Sequence, residues 1–179
     1  MKINRILGIA ITSLVVLAVG ACAAGKDWED DFEKAKQEAA ETGRPILIDF
    51  SGSDWCGWCI KLDREVLSQS AFKKYAKKEL VLFLADFPQR KKLPRKTAEQ
   101  NAALKKTYGV TGFPTVLLVA PDGKLIAKTG YLEGGPKAYV KHLEELLKDY
   151  ERPAPKVAKE TGSRLKDKSK LKDKSRLKR

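Results

Sequence analysis

Apolar and polar positions along this chain change period several times, and each change marks an element. From Asp27 to Thr42, Phe32, Ala35 and Ala39 recur on one side of an otherwise charged stretch, which predicts an amphipathic helix capped by Asp27 and stopped by Gly43. Pro45 to Phe50 is short and apolar apart from Asp49, the mark of a strand buried on both faces. A turn-rich Ser51-Gly52-Ser53-Asp54 follows, then a helical stretch from the Trp55–Cys59 segment to about Leu67, continued over Ala71–Lys78. Leu80 to Ala85 reads as a second buried strand, Pro88 to Lys96 as a basic loop, and Thr97 to Tyr108 as a helix closed by Gly109. Thr115–Ala120 and Lys124–Thr129 are predicted strands joined by a hairpin turn at Pro121-Asp122-Gly123. Gly134-Gly135-Pro136 opens a last helix with Tyr139, Leu143, Leu146 and Tyr150 on one face. The order is α-β-α-β-α-β-β-α. It predicts an α/β domain over residues 27–152, with a central mixed sheet of about four strands flanked by helices.

The 179 residues suffice for one such domain with short appendages. The formal charge of +13 changes the picture only once it is located. Residues 156–179 hold eleven Lys/Arg against Glu160, Asp167 and Asp173, so the domain itself is nearly balanced. At the other end, Lys2 and Arg5 precede an apolar run from Ile6 to Val19, and Val19-Gly20-Ala21 leads straight into Cys22. That arrangement resembles a bacterial lipoprotein signal, with residues 1–21 removed, Cys22 carrying covalent lipid and 22–26 serving as a short linker. A plain signal peptide, or an uncleaved anchor with an incidental cysteine, is the alternative.

With Cys22 set aside, two cysteines remain, spaced C-x-x-C at Cys56 and Cys59. An exported chain with a single dithiol has no disulfide framework to build. A zinc site would need two more ligands, and the only histidine, His142, has no evident partner and reads as a surface residue. No metal and no cofactor are therefore expected beyond the dithiol and the lipid. Cys56 falls where a strand hands over to a helix, so unpaired N–H groups and the helix dipole favour its thiolate. Cys59 lies one turn on, placed to close a disulfide upon a mixed-disulfide intermediate. Cys56 then acts as nucleophile and Cys59 as resolving thiol. A purely structural bridge across so small a loop would stabilise little.

The segment Asp49-Phe50…Trp55-Cys56-Gly57-Trp58-Cys59 is similar to the active-site stretch of thioredoxin-fold proteins. Tyr108-Gly109-Val110-Thr111-Gly112-Phe113-Pro114-Thr115 looks like their second signature, and the resemblance runs from about Asp27 to Tyr150. It implies a thioredoxin-like fold with a cis Pro114 packed against the dithiol and a Phe113 backbone that pairs with an extended substrate strand. It also implies Asp49 as proton acceptor for Cys59. Trp55 and Trp58 flank the dithiol: Trp58, at an exposed helix start, is expected to offer substrate contact area together with Trp55 and Gly57, although core packing would also explain Trp55. The apolar run around Asp49 predicts burial and a raised pKa. One residue more than the usual spacing separates Asp49 from Cys56, which leaves Asp54 as a competing carboxylate. The family's first strand is replaced by the helix over 27–42, and Trp58 stands where thioredoxin has proline. The Trp-Cys-Gly-Trp-Cys motif resembles the bacterial envelope branch of the family.

These readings converge on a thiol–disulfide oxidoreductase of the cell envelope that reduces or isomerises protein disulfides, with reduction favoured by Asp49 and Phe113. A non-catalytic folding helper or binding module is the alternative. Expected partners are protein thiols and disulfides, an electron-donor thiol protein, and the membrane through the lipid on Cys22. The loop Pro88 to Lys96, with Arg90, Lys91, Lys92, Arg95 and Lys96, is expected to rim the dithiol and steer acidic partners, since strands one and two should end at the same sheet edge; a merely solvated basic loop is the alternative. In the tail over 153–179, Ser163-Arg164-Leu165-Lys166-Asp167-Lys168 recurs as Ser169-Lys170-Leu171-Lys172-Asp173-Lys174 and again from Ser175. Three leucines at a six-residue period make no helical stripe and no core, so a disordered basic tether to anionic lipid or envelope polymer is expected, with a solubilising or incidental tail as the alternative. Nucleic acid is not, because the signal places the chain outside the cytoplasm.

Overall fold

The computed structural model describes residues 28–156. The expected signal over 1–21, the lipidation site Cys22, the cap Asp27 and the basic repeats lie outside the described residues.

The elements are α1 (Phe32–Thr42), β1 (Ile46–Ser51), α2 (Gly57–Leu62), a π-helical turn (Asp63–Leu67), α3 (Ser70–Glu79), β2 (Val81–Asp86), α4 (Arg95–Thr107), β3 (Thr115–Val119), β4 (Leu125–Thr129) and α5 (Gly135–Leu147). Helix α1 starts five residues later than the apolar spacing suggests. Asp31 is its cap, accepting from the Glu33 and Lys34 N–H groups at 3.1 and 3.3 Å. The residues before it do other work: Glu29 donates to the Leu82 carbonyl and accepts from the Leu84 N–H, an isolated parallel bridge along β2. A one-residue bridge to β2 thus precedes α1, where only the helix over 27–42 was expected. Gly43, at φ 71°, closes α1 in the left-handed conformation that glycine adopts without a Cβ penalty.

The sheet order is β2-β1-β3-β4, with β1 parallel to β2 and antiparallel to β3. Alternation along the strands divides the core in two. Ile46, Ile48, Phe50, Val81, Phe83, Leu117 and Val119 face the side covered by α1, with Leu104 and Tyr108 from α4 and its end packed against them. Leu47, Leu82, Val116 and Leu118 face Leu62, Val66, Phe72, Tyr139 and Leu143 from α2, the π-turn, α3 and α5. Helix α4 begins at Arg95 after Pro94, so Arg95 and Lys96 belong to a helix and not to the preceding loop. Tyr150 lies beyond the end of α5, not on its apolar face. His142 is half-buried and hydrogen-bonded to the Thr129 hydroxyl at 2.9 Å, where the sequence suggested a free surface position. Among the described residues no helix is long and apolar enough to cross a membrane.

Candidate active site

Because β1 and β2 run parallel, the loops that leave their C-terminal ends meet at one edge of the sheet. The Phe87 N–H donates to the Ser51 carbonyl at 2.8 Å, which extends the pairing by one step. The two loops then exchange carboxylates. Buried Asp86 accepts from the Ser53 N–H at 2.9 Å and the Ser53 hydroxyl at 2.7 Å, and pairs with the Lys91 ammonium at 3.1 Å. Asp54 in return accepts from the Gln89, Arg90 and Lys91 N–H groups at 2.9, 2.8 and 3.2 Å. The Gln89 N–H, with its two neighbours, holds the Asp54 carboxyl below the usual carboxylate range. That carboxylate is committed to shaping the loop.

Gly52 has no room for a Cβ, since one built there would stand 2.5 Å from the Trp55 indole. The Trp55 Nε1–H donates to the Phe87 carbonyl at 2.7 Å, and the Cys56 N–H donates to the Gly52 carbonyl at 2.8 Å. This tight turn delivers Cys56 as the cap of α2. Its Sγ accepts from the Cys59 N–H at 3.2 Å, and the two cysteines are joined in a disulfide. Cys59 is 2% exposed and Cys56 6%. The Gly52 N–H approaches the Cys59 Sγ at 3.5 Å. Gly57 is exposed, with open space around its Cα.

Asp49 lies in the middle of β1 on the Leu47 side, the face that α2 and α5 cover. It is 5% exposed, and its Oδ1 has no hydrogen-bond partner. Burial, reinforced by the Asp63 and Asp86 charges, pushes its pKa up to about 7. The Phe113–Pro114 peptide is cis. Phe113 meets the Trp55 ring edge-on at 6.0 Å and stacks on Phe87 at 5.0 Å, so the cis-proline loop stands beside the turn that carries Cys56.

Two aromatic walls flank this arrangement. Trp55, Phe113 and Phe87 form one, with the Lys105 ammonium 5.2 Å from the Phe113 ring centre and 5.6 Å from that of Phe87. Trp58, 57% exposed, leans on Tyr131 at 5.4 Å, and Lys61 lies 5.0 and 4.9 Å from those two rings. The Tyr131 hydroxyl donates to Glu65 at 2.7 Å. Trp55, 40% exposed, is more open than a core tryptophan.

Of the basic loop, Arg90 and Lys91 are tied to the dithiol turn through Asp54 and Asp86, while Arg95 pairs with Glu99 and Lys96 with Asp31. Phe87, Lys105, Tyr131, Lys61 and Asp86 carry no sequence signal of their own; only the folded chain brings them here. Among the described residues, no cluster of three or more His, Cys, Asp and Glu side chains could hold a metal ion.

Residues 32–147 match the family model described as a thioredoxin-like domain. The disulfide bond reductase DsbH of Chlamydia pneumoniae is 38% identical over 126 residues, 70% of this chain and 75% of that protein. The thioredoxin-related protein DsbJ of the same organism is 30% identical over 103 residues, 58% of this chain but only 30% of the relative. Among solved structures, a DsbH oxidoreductase superposes with a TM-score of 0.67 at 35% identity, covering 80% of this chain and 96% of that one.

Proposed function

The chain belongs to the thioredoxin-like family, and on that premise we propose that it is a reductase of protein disulfides working in the cell envelope. That it is a thiol–disulfide oxidoreductase follows from its homology and from the Cys56–Cys59 disulfide.

The observation that carries the mechanism is Cys56 Sγ in the capping position of α2. In the reduced protein the Cys59 N–H that it accepts, together with the partial positive charge of the helix start, stabilises a thiolate there. That thiolate attacks one sulfur of a substrate disulfide, joins it in a mixed disulfide and releases the other substrate sulfur, which takes up a proton. Cys59 gives up its proton and attacks Cys56 Sγ, which expels the second substrate thiol and closes the Cys56–Cys59 disulfide. Two electrons pass to the substrate, and a donor thiol protein must return them before the next turnover. Asp49, buried on the α2 face with a pKa near neutrality, is the acceptor for the Cys59 proton; Asp54, held by three N–H groups, is not. Trp55, Gly57, Trp58, Phe113 and Pro114 form the substrate-facing rim.

The reducing direction draws on the 38% identical relative that bears a reductase's name, and on a base poised to activate the resolving thiol. The envelope location draws on the signal-like start and on Cys22 as a lipid anchor. The catalytic reading and the location are tested by expressing Cys59→Ala in cells and collecting disulfide-linked complexes. Protein partners should accumulate on Cys56 and sediment with membranes, and adding Cys22→Ala should release them. Absence of trapped partners would refute the catalytic reading; trapped cytoplasmic partners would refute the location.

A further inference from the structure

Resting on that reading, we propose that Lys105 makes the cleft selective for substrate segments carrying an acidic side chain beside their cysteine. Three observations lead there. The Phe113 N–H and carbonyl make no hydrogen bond to any described residue, although Phe113 lies half-buried next to the Trp55 turn. An extended segment paired with that peptide would run along the Trp55–Phe113–Phe87 wall. The Lys105 ammonium stands over this wall, with no carboxylate partner among the described residues.

The charges facing that strip agree. Asp54 and Asp86 are the acidic groups of the two loops, and both are turned inward onto backbone N–H groups, a hydroxyl and Lys91. Arg90 and Lys92, from the same loop, have no ion-pair partner among the described residues. The opposite wall differs. Lys61 there has Glu65 and Glu133 nearby, so its charge is already compensated. The field beside Phe113 is thus one-sided and positive, and Lys105 is the member of it that rests on the Phe113 ring. A lysine held by ring faces keeps its ammonium available to an incoming carboxylate while the stem is already ordered, which lowers the entropy lost on pairing.

The test uses the reduced intact chain and two disulfide-linked peptide dimers that differ only at the residues flanking cysteine, Glu in one and Lys in the other. Released peptide thiol is measured as kcat/KM. The acidic dimer should be reduced about fivefold faster at low ionic strength, with the ratio approaching one near about 0.5 M salt. Lys105→Glu should reverse the preference, and Lys105→Arg should keep it, which a merely structural role would not predict. Equal rates with the unaltered chain, or an unchanged ratio in Lys105→Glu, would overturn the selectivity while leaving the oxidoreductase reading intact. Failure to reduce either dimer would overturn that reading and the selectivity with it.

Discussion

Asp49 is the residue in which stability and chemistry pull against each other. Its carboxyl is buried, one oxygen has no partner, and its pKa is raised from 3.8 to about 7. The folded state therefore holds a proton that the unfolded chain releases, and stability must fall as pH rises from about 4 to about 7. Asp49→Asn removes that dependence. It should stabilise the protein at pH 8 by on the order of 1–4 kcal/mol, with the gain fading to nothing near pH 4. The same substitution should slow release of substrate from the mixed disulfide above pH 7, where the native carboxylate would accept the Cys59 proton. Urea titrations across pH check the first, and single-turnover kinetics check the second. A variant no more stable at pH 8 than at pH 4, relative to the native chain, would contradict the burial account.

At the scale of elements, the exchange of carboxylates between the β1–α2 and β2–α4 loops holds the dithiol turn. Asp54→Ala should leave the fold intact but free the Gln89, Arg90 and Lys91 amides, so that their hydrogen exchange accelerates at least tenfold while β1 amides stay protected. Exchange at 89–91 unaltered by the substitution would mean that something other than Asp54 orders the loop. This pair of loops also marks where sequence reading stopped. The strands were legible because buried runs such as Ile46–Phe50 have few alternatives, and Cys56, Cys59 and Pro114 were legible because their motifs are local. The start of α1 was not. Asp27 and Asp31 are both plausible caps, and the choice is decided by Glu29 bridging to β2, a contact between distant residues. Asp54 was legible as a carboxylate near Cys56 but not as a loop clamp, because its partners are backbone amides of residues 89–91 that have no side-chain signature. The π-turn at Asp63–Leu67 likewise follows from packing of Val66 and Leu67 into the core, not from any spacing in the sequence.

For the molecule as a whole, the two-faced sheet provides a rigid frame and confines chemistry to one edge. Helices α1 and α4 seal one face and α2, α3 and α5 the other, and the loops after β1 and β2 and the cis-proline loop before β3 are anchored to this frame. In such a frame the direction of electron flow is set by how much the reduced dithiol gains over the disulfide. Asp49 beneath α2, and Cys56 at a helix start in an otherwise nearly balanced domain, bear on that difference. The direct measurement is the reduction potential of the Cys56–Cys59 couple, obtained by equilibrating the protein with glutathione buffers and counting free thiols. The account predicts a value within a few tens of millivolts of the roughly −270 mV of thioredoxin, as a reductase requires. A value above about −180 mV, in the range of isomerases and oxidants, would contradict it.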